Sequence, residues 1–244
     1  MLYLISACSR DGSAISKFKM ATGGVNKRIL IPFRSKKSIS ISGPTNSGKT
    51  MFVYRFLTNM ELMYEPGESP SAVLYCYGVS QPLFHHMKRA VPIITFYEGL
   101  PSNDIIEDFA ADHPHSLIIL DDLHQKFVQE RQMETLLTMS CHHRNMSVIF
   151  INHNIFYQGK HARTMALNTS YNVLFRNVRD QSQVAILGRQ MYPNRPAKLL
   201  EAYNDATSQA YGYLLIDYTT EQKDDMRLRT NIFPGEQMLV YVDK

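Results

Sequence analysis

The pattern with the clearest chemical meaning is Gly43-Pro44-Thr45-Asn46-Ser47-Gly48-Lys49-Thr50, which matches G-x-x-x-x-G-K-[ST] at every fixed position. Glycines let the backbone curl so that successive N–H groups point at phosphate oxygens. In loops of this kind the lysine, here Lys49, neutralises the β- and γ-phosphates, and the hydroxyl at the position of Thr50 binds Mg²⁺. The sequence therefore predicts that this segment holds the phosphates of a nucleotide.

Two adjacent carboxylates, Asp121 and Asp122, follow the apolar run Leu117–Leu120. A buried strand that ends in acid can deliver one carboxylate to a Mg²⁺ ion, and we assign that role to Asp121. The next carboxylate, Asp122, is positioned to polarise an attacking water as a general base. This Walker B pattern predicts that the bound phosphate is hydrolysed as well as held.

Polar residues also end the next predicted strand, where Val148–Ile151 is followed by Asn152 and His153. Both residues are candidates to contact the γ-phosphate or the attacking water. Arg144 precedes this strand, and oligomeric ATPases use an arginine of the adjacent subunit to stabilise charge in the transition state. Such an arginine is worth about 10³–10⁵ in rate, so Arg144 is a candidate catalytic residue acting in trans.

A basic segment, Gln158–Arg163, follows the polar strand end. Its Lys160 and Arg163 could track the phosphate backbone of a nucleic acid without reading its bases. The segment could equally be a loop whose charges only face solvent, and the sequence leaves both interpretations open.

The elements that must position these residues alternate along the chain. Short apolar runs predict strands at 38–42, 72–77, 93–97, 117–122, 147–152, 171–175 and 212–217. Helical patterns lie over Met51–Leu57, after the N-cap residue Ser102, and over about 125–143. This alternation predicts an α/β fold, a three-layer sandwich with a central, mostly parallel sheet. Ligands bind beyond the carboxyl ends of such strands, where all the candidate residues would meet.

Composition is compatible with one domain. The 244 residues are 44% hydrophobic and 20% charged, with a net charge of +4, which suits a polyanionic partner without requiring one. We expect a lead-in arm at 1–35, a nucleotide-binding domain at 36–235 and a tail at 236–244. Three cysteines without metal-like or disulfide-like spacing favour a reduced, intracellular protein. No apolar run reaches the ~18 residues of a membrane span, so neither a membrane nor secretion is expected.

The chain resembles the FtsK–HerA superfamily of DNA-pumping P-loop ATPases, which have RecA/ASCE-like folds. The resemblance is strongest to the viral packaging branch, which includes the packaging ATPases of Polinton/Maverick elements, adintovirus-like viruses and poxviruses. It covers roughly residues 35–235 and is carried by Ser42–Thr50, Tyr77–Gln81, Ile119–Leu123, Asn145–Thr164, Asn168–Asp180 and Arg227–Phe233. Two departures stand out: relatives commonly have Thr-Gln where this chain has Asn152-His153, and Asp-Glu where it has Asp121-Asp122.

The resemblance implies an ATPase that uses ATP and Mg²⁺ to move double-stranded DNA into a viral capsid. Its implied partners are double-stranded DNA, further copies in a ring of about five or six subunits, and capsid proteins. Its implied location is the nucleus or cytoplasm of a host cell, with association with virions. The alternatives are a nucleotide or nucleoside kinase with the same loop, and a non-motor NTP-dependent switch that binds capsid or replication proteins.

Overall fold

The computed structural model describes residues 4–7, 15–20, 31–123, 145–156 and 162–243. Within them the strands are β1 (Leu4–Ala7), β2 (Ile15–Met20), β3 (Ser38–Ser42), β4 (Ala72–Tyr77), β5 (Ile94–Glu98), β6 (Ser116–Asp121), β7 (Met146–Asn152), β8 (Tyr171–Phe175), β9 (Tyr213–Asp217), β10 (Leu228–Thr230) and β11 (Leu239–Asp243). The helices are α1 (Lys49–Thr58), α2 (Met60–Met63), α3 (Leu83–Ala90), α4 (Asn103–Asp112), α5 (Ala162–Asn168), α6 (Ser182–Met191) and α7 (Ala197–Ala206), with a 3₁₀ turn at Asp224–Met226.

All the described strands belong to one sheet, in the order β1-β2-β11-β10-β9-β8-β3-β7-β6-β4-β5. Neighbours from β5 to β8 are parallel, whereas β9, β10, β11, β2 and β1 add to the sheet through antiparallel pairings. Because two antiparallel pairings restore the original direction, β10 and β2 also run in the direction of β8. Eight of the eleven described strands therefore run in one direction, and in this sense the sheet is mostly parallel, as the sequence predicts.

Alternation along the buried strands places helices on both faces of the sheet. In β4, Val73 and Tyr75 face a core shared with α1 to α3, whereas Leu74 and Cys76 face a core shared with α4. Helices α6 and α7 pack on the same face as α4, against Leu174 and its neighbours in β8 to β10. The result is the three-layer α/β sandwich expected from the sequence. No helix in the described ranges is long and apolar enough to cross a bilayer.

Polar contacts attach the antiparallel end of the sheet to α7. Lys198, at the start of the helix, bonds Asp243 of β11 with 3.2 Å between Nζ and Oδ2. Near the end of the helix, Asp205 accepts hydrogen bonds from Lys17 of β2 and, at 2.7 Å, from the Tyr241 hydroxyl. Charged groups that are partly buried make stronger contacts than exposed ones, so these contacts fix the helix against both strands.

The predicted strands and helices agree with the structure wherever it describes them. All seven strands form within a residue or two of their predicted limits, and the Ser102 hydroxyl caps α4 by accepting from the Ile105 amide. The helix predicted over 125–143 lies outside the described residues. The segments expected as arm and tail both supply strands, because β2 pairs with β11 from Lys19↔Leu239 to Ile15↔Asp243. The domain limits at 35 and 235 stay a prediction.

Candidate nucleotide-binding site

Parallel pairing brings the three candidate segments together at one edge of the sheet. Strand β7 lies between β3 and β6, with Ser42 beside Asn152 and Ile151 beside Asp121. The Gly43 amide donates to the Asn152 carbonyl at 3.2 Å, and the Asp122 amide donates to the Ile151 carbonyl at 3.3 Å. Backbone contacts thus hold the phosphate loop and the acidic pair to the same strand.

The loop at Gly43–Thr50 is curled in the way that phosphate binding requires. Asn46 and Gly48 have φ angles of 63° and 104°, in the left-handed region that turns consecutive amides inward. Gly43 is needed for close approach, because a Cβ there would lie 2.7 Å from the Phe175 Cβ at the end of β8. Helix α1 starts at Lys49, so its amino terminus faces the loop and favours an anion.

A cavity of about 710 Å³ opens over this loop. Its lining combines the loop, the acidic pair and the polar strand end: Thr45, Asn46, Gly48, Lys49, Thr50, Met51, Gln81, Asp121, Asp122, Ile151, His153 and Tyr211. The volume is in the range of small-molecule sites in proteins. The predicted phosphate, metal and catalytic groups therefore share one space.

Lys49 and Asp121 are buried charges with altered proton affinities. Burial lowers the pKa of Lys49, and the charges of Asp121 and Asp122 oppose that effect. Burial raises the pKa of Asp121 above its ordinary value, helped by the Asp122 charge and opposed by a 2.7 Å hydrogen bond from the Tyr75 hydroxyl. The Lys49 ammonium donates to the carbonyls of Gly43 (2.7 Å) and Pro44 (2.9 Å), so it points into the loop.

Asp122 differs from its neighbour in exposure and in backbone geometry. Its side chain is 56% exposed, and its Oδ1 lies 3.1 Å from Nε2 of His153. Its φ angle is 56°, in the left-handed region that aspartate and asparagine adopt more readily than glutamate. This conformation gives a physical reason for an aspartate, rather than a glutamate, at this position.

The structure separates the two candidates at the end of β7. Asn152 is 2% exposed, and its amide donates to the Ser40 hydroxyl on β3 at 3.3 Å. His153 lines the cavity and contacts Asp122. Because side chains alternate along a strand, consecutive residues point to opposite sides. Asn152 contacts the neighbouring strand β3, and His153 lines the cavity.

The donor set fits a magnesium nucleotide. Mg²⁺ binds in proteins through one or two oxygen ligands together with substrate phosphates, and Thr50 and Asp121 offer oxygens of this kind in one cavity. The hydroxyl of Ser47, inside the loop, is buried and has no hydrogen-bond partner within the described ranges. The Ser47 hydroxyl could therefore donate a hydrogen bond to an acceptor atom of a ligand held in the loop.

Besides Lys49, the sequence predicts three basic residues with functional roles: Arg144, Lys160 and Arg163. Arg144 and Lys160 lie outside the described residues, and Arg163 is exposed on α5, whose Ala-, Met- and Leu-rich sequence favours a helix over the expected loop. The sequence patterns did not single out Tyr75 or Tyr211. Tyr75 belongs to an apolar strand pattern. Tyr211 stands directly before Gly212, so its position indicates only a turn.

We expect Asp121→Asn to stabilise the ligand-free protein at neutral pH by about 1 kcal/mol. The raised pKa means that the folded state binds this proton more tightly than the unfolded state, so the aspartate lowers stability as pH rises through the interval between the two pKa values. The advantage of the variant should therefore be full near pH 8 and should shrink as pH falls toward the unfolded pKa of about 3.9.

Thermal unfolding measured at several pH values checks this expectation. Adding Mg²⁺ and ATP should reverse the order, because ligand binding stabilises the wild type and not a variant that has lost its metal ligand. If Asp121→Asn were less stable than the wild type at pH 8 without ligand, burial of the Asp121 charge would not be destabilising and the expectation would be wrong.

Comparison with known proteins gives a likeness in structure alone. No protein-family model matches the sequence, and a search of curated proteins gives no match. The genome packaging NTPase B204 of Sulfolobus turreted icosahedral virus 2, solved with ATPγS, superposes with a TM-score of 0.54 at 10% identity, covering 77% of this chain and 95% of that chain. B204 of Sulfolobus turreted icosahedral virus, described as a DNA-packaging ATPase, gives 0.54 at 11% identity, covering 78% and 96%. The chain thus has the P-loop NTPase-like α/β fold that is also found in a viral packaging NTPase.

Proposed function

We propose that this protein hydrolyses ATP and uses the energy to translocate double-stranded DNA, in the packaging of a viral genome. The observation that carries the proposal is the meeting of Lys49, Asp121 and the Asp122–His153 pair in one cavity over the phosphate loop. Each group has a separate task in phosphoryl transfer to water. The fold shared with a viral packaging NTPase and the resemblance to the FtsK–HerA packaging branch support the biological role.

Binding of the triphosphate would use the loop and the first turn of α1. Backbone amides of Thr45 to Gly48 surround the phosphate oxygens, and the Lys49 ammonium exchanges its carbonyl partners for the β- and γ-phosphates. Thr50 and Asp121 would hold Mg²⁺, which when bound offsets charge that develops on the phosphates. A Mg²⁺ ion beside the Asp121 carboxylate would offset the unfavourable effect of burying that charge.

Hydrolysis would depend on the exposed carboxylate of Asp122. Its contact with His153 fixes one oxygen and leaves the carboxylate directed at the cavity, where it would accept a proton from the attacking water. Arg144 of an adjacent subunit would complete the site, which requires a homo-oligomeric ring. Lys160 and Arg163 would contact the DNA backbone, with hydrolysis shifting these contacts along the duplex.

The direct test is release of inorganic phosphate from ATP with and without double-stranded DNA, combined with the mass of the assembly. The proposal expects Mg²⁺-dependent hydrolysis, stimulation by DNA and a multimeric ring. Phosphate appearing on a nucleoside or nucleotide acceptor would replace the proposal with a kinase. Slow turnover unaffected by DNA would indicate a non-motor switch instead.

Substitution of His153 tests its part in this reaction. We expect His153→Ala to lower kcat about 10²-fold while the affinity for ATP stays within about twofold, because small displacements of a reacting group have costs of this size. His153→Gln, which keeps a hydrogen-bond donor and matches the residue of the resembling family, should restore most of the rate. Single-turnover hydrolysis and nucleotide binding separate the two effects. Equal rates for His153→Ala and the wild type would remove His153 from the mechanism.

A further inference from the structure

We infer that a second cavity beside the phosphate loop holds the nucleobase of the bound nucleotide, with the Tyr211 ring as its stacking cover. The inference rests on the proposed function, because it concerns the same nucleotide. It assigns to the ligand a heteroaromatic base attached to the triphosphate. Four features support it: the position of the cavity, its aromatic floor, the fixed position of Tyr211 and a polar rim.

The second cavity adjoins the first and has a different character. It measures about 480 Å³. Its lining is mainly apolar and aromatic: Gly48, Met51, Phe52, Arg55, Phe175, Tyr211, Tyr213 and Phe233. Gly48, Met51 and Tyr211 line both cavities, so a ligand can pass from one to the other over the first turn of α1. A triphosphate held at Lys49 would therefore direct its nucleoside toward this second space.

A rigid group of aromatic rings forms the floor. The Phe52 ring on α1 meets those of Tyr213 and Phe233 edge to face, with centroids 4.9 and 5.0 Å apart. Phe52 also meets Phe175 at 6.1 Å. Edge-to-face packing of this kind holds the rings in place and gives the cavity an apolar, aromatic wall. Such a wall suits the apolar face of a planar base of any identity.

Tyr211 is the exposed aromatic residue at the boundary between the cavities. Its side chain is 72% exposed, and its φ angle is 60°, a conformation that is costly for a bulky residue. Its ring lies over the loop, because a Cβ on Gly48 would be 3.1 Å from the Tyr211 Cδ1. Strain of this kind at an exposed aromatic residue is common at ligand sites.

The neighbouring glycine explains how this position is maintained. A Cβ on Gly212 would lie 2.5 Å from the carbonyl oxygen of Ala206, the last residue of α7. Only glycine permits this close approach, which brings the turn against the end of the helix. Tyr211 is thus carried on a short turn, closed by a 3.1 Å hydrogen bond from the Gly212 amide to the Gln209 carbonyl, and lies over the loop in the ligand-free protein. A preorganised cover of this kind avoids an ordering cost on binding.

The rim of the cavity supplies hydrogen-bonding groups for the edge of a base. Arg55 lies over the Phe233 ring at 4.0 Å and donates to Glu236 at 2.6 Å between Nη2 and Oε1. Arg55 lines the cavity, and its guanidinium offers several donors to acceptor atoms on the edge of a base. A purely aliphatic ligand would gain nothing from these donors, whereas a nucleobase has both an apolar face and a polar edge.

Calorimetric binding of two probes, MgATP and magnesium tripolyphosphate, tests the inference on the full chain. Tripolyphosphate carries the same phosphate chain without ribose or base. We expect the wild type to bind ATP more tightly, and Tyr211→Ala to weaken ATP about 5- to 100-fold, the usual range for loss of one base–aromatic stack. Tripolyphosphate binding should not change. Tyr211→Phe, which keeps the ring, should bind ATP like the wild type.

The outcomes separate this inference from the proposed function. If the wild type binds ATP and tripolyphosphate equally, or if Tyr211→Ala weakens both to the same extent, the base site is wrong while the phosphate site stands. If the wild type binds neither probe, the base site and the proposed function both fail. If Tyr211→Ala lowers the mass of the assembly and leaves ATP affinity unchanged, the ring covers a neighbouring subunit and the inference is overturned.

Discussion

Lys49→Ala is expected to lower ATP hydrolysis at least about 10²- to 10³-fold and to weaken nucleotide binding. Lys49 is the buried cation of the phosphate cavity, and its ammonium already points at the loop carbonyls of Gly43 and Pro44. Alanine leaves the charge of the triphosphate without its nearest balancing group. Phosphate release and nucleotide affinity, measured on the same preparation, give the two effects.

A matched control is available on α3. Lys88 is exposed, so Lys88→Ala removes the same charge and the same side chain without touching the cavity, and it should hydrolyse ATP at the wild-type rate. Lys49→Arg should fail like the alanine variant, because the planar guanidinium cannot replace a compact ammonium inside the curled loop. Normal turnover by Lys49→Ala would overturn the nucleotide site itself.

Asp122→Asn is expected to lower the rate of hydrolysis about 10²- to 10⁴-fold and to leave ATP and Mg²⁺ binding nearly unchanged. The amide cannot accept the proton of the attacking water. It can occupy the same backbone conformation, because asparagine tolerates the left-handed φ of 56° at this position. The variant should therefore unfold at the wild-type temperature, and single-turnover hydrolysis after saturation with ATP isolates the chemical step.

Two neighbouring substitutions make this test specific. Asp121→Asn should lose Mg²⁺-dependent nucleotide binding, so the pair of variants separates metal binding from water activation. Asp122→Glu restores a carboxylate but places a longer side chain on a left-handed backbone, and we expect intermediate rates with reduced stability. Hydrolysis by Asp122→Asn at the wild-type rate would show that another group accepts the proton.

The central sheet could be predicted from the sequence because parallel strands covered on both faces have continuous apolar patterns. The run Leu117–Leu120 and the segment Gly43–Thr50 predict two of the strands that end at the site, whereas their order in the sheet follows from the pairing of β3 and β6 with β7. Strand β10 shows why the antiparallel end could not be predicted in this way. Its three residues include Arg229, which is buried against Asp217 of β9 at 2.7 Å. A charged residue in a short strand has no local signal, since its pairing partner is distant in sequence.

The sequence predicts those residues of the site that belong to a recognisable local pattern. Lys49, Asp121 and Asp122 line one cavity, and their roles stay predictions. The choice between Asn152 and His153 was not predictable from the pair alone, because it depends on which side chain of β7 turns outward at the strand end. Tyr75 and Tyr211 were missed because their positions relative to the loop follow from the sheet order and from the packing of α7.

The attachment of α7 has a mechanical consequence. Its ten residues span about 15 Å, and contacts at Lys198 and Asp205 hold it to β11 and β2. Tyr211 follows the end of the same helix by one packed turn. A continuous series of contacts therefore joins strands β2 and β11, helix α7 and the turn that carries the Tyr211 ring. A displacement of the antiparallel end of the sheet would therefore move Tyr211 at the mouth of the nucleotide cavity. Conversely, a ligand that moves Tyr211 would displace these strands.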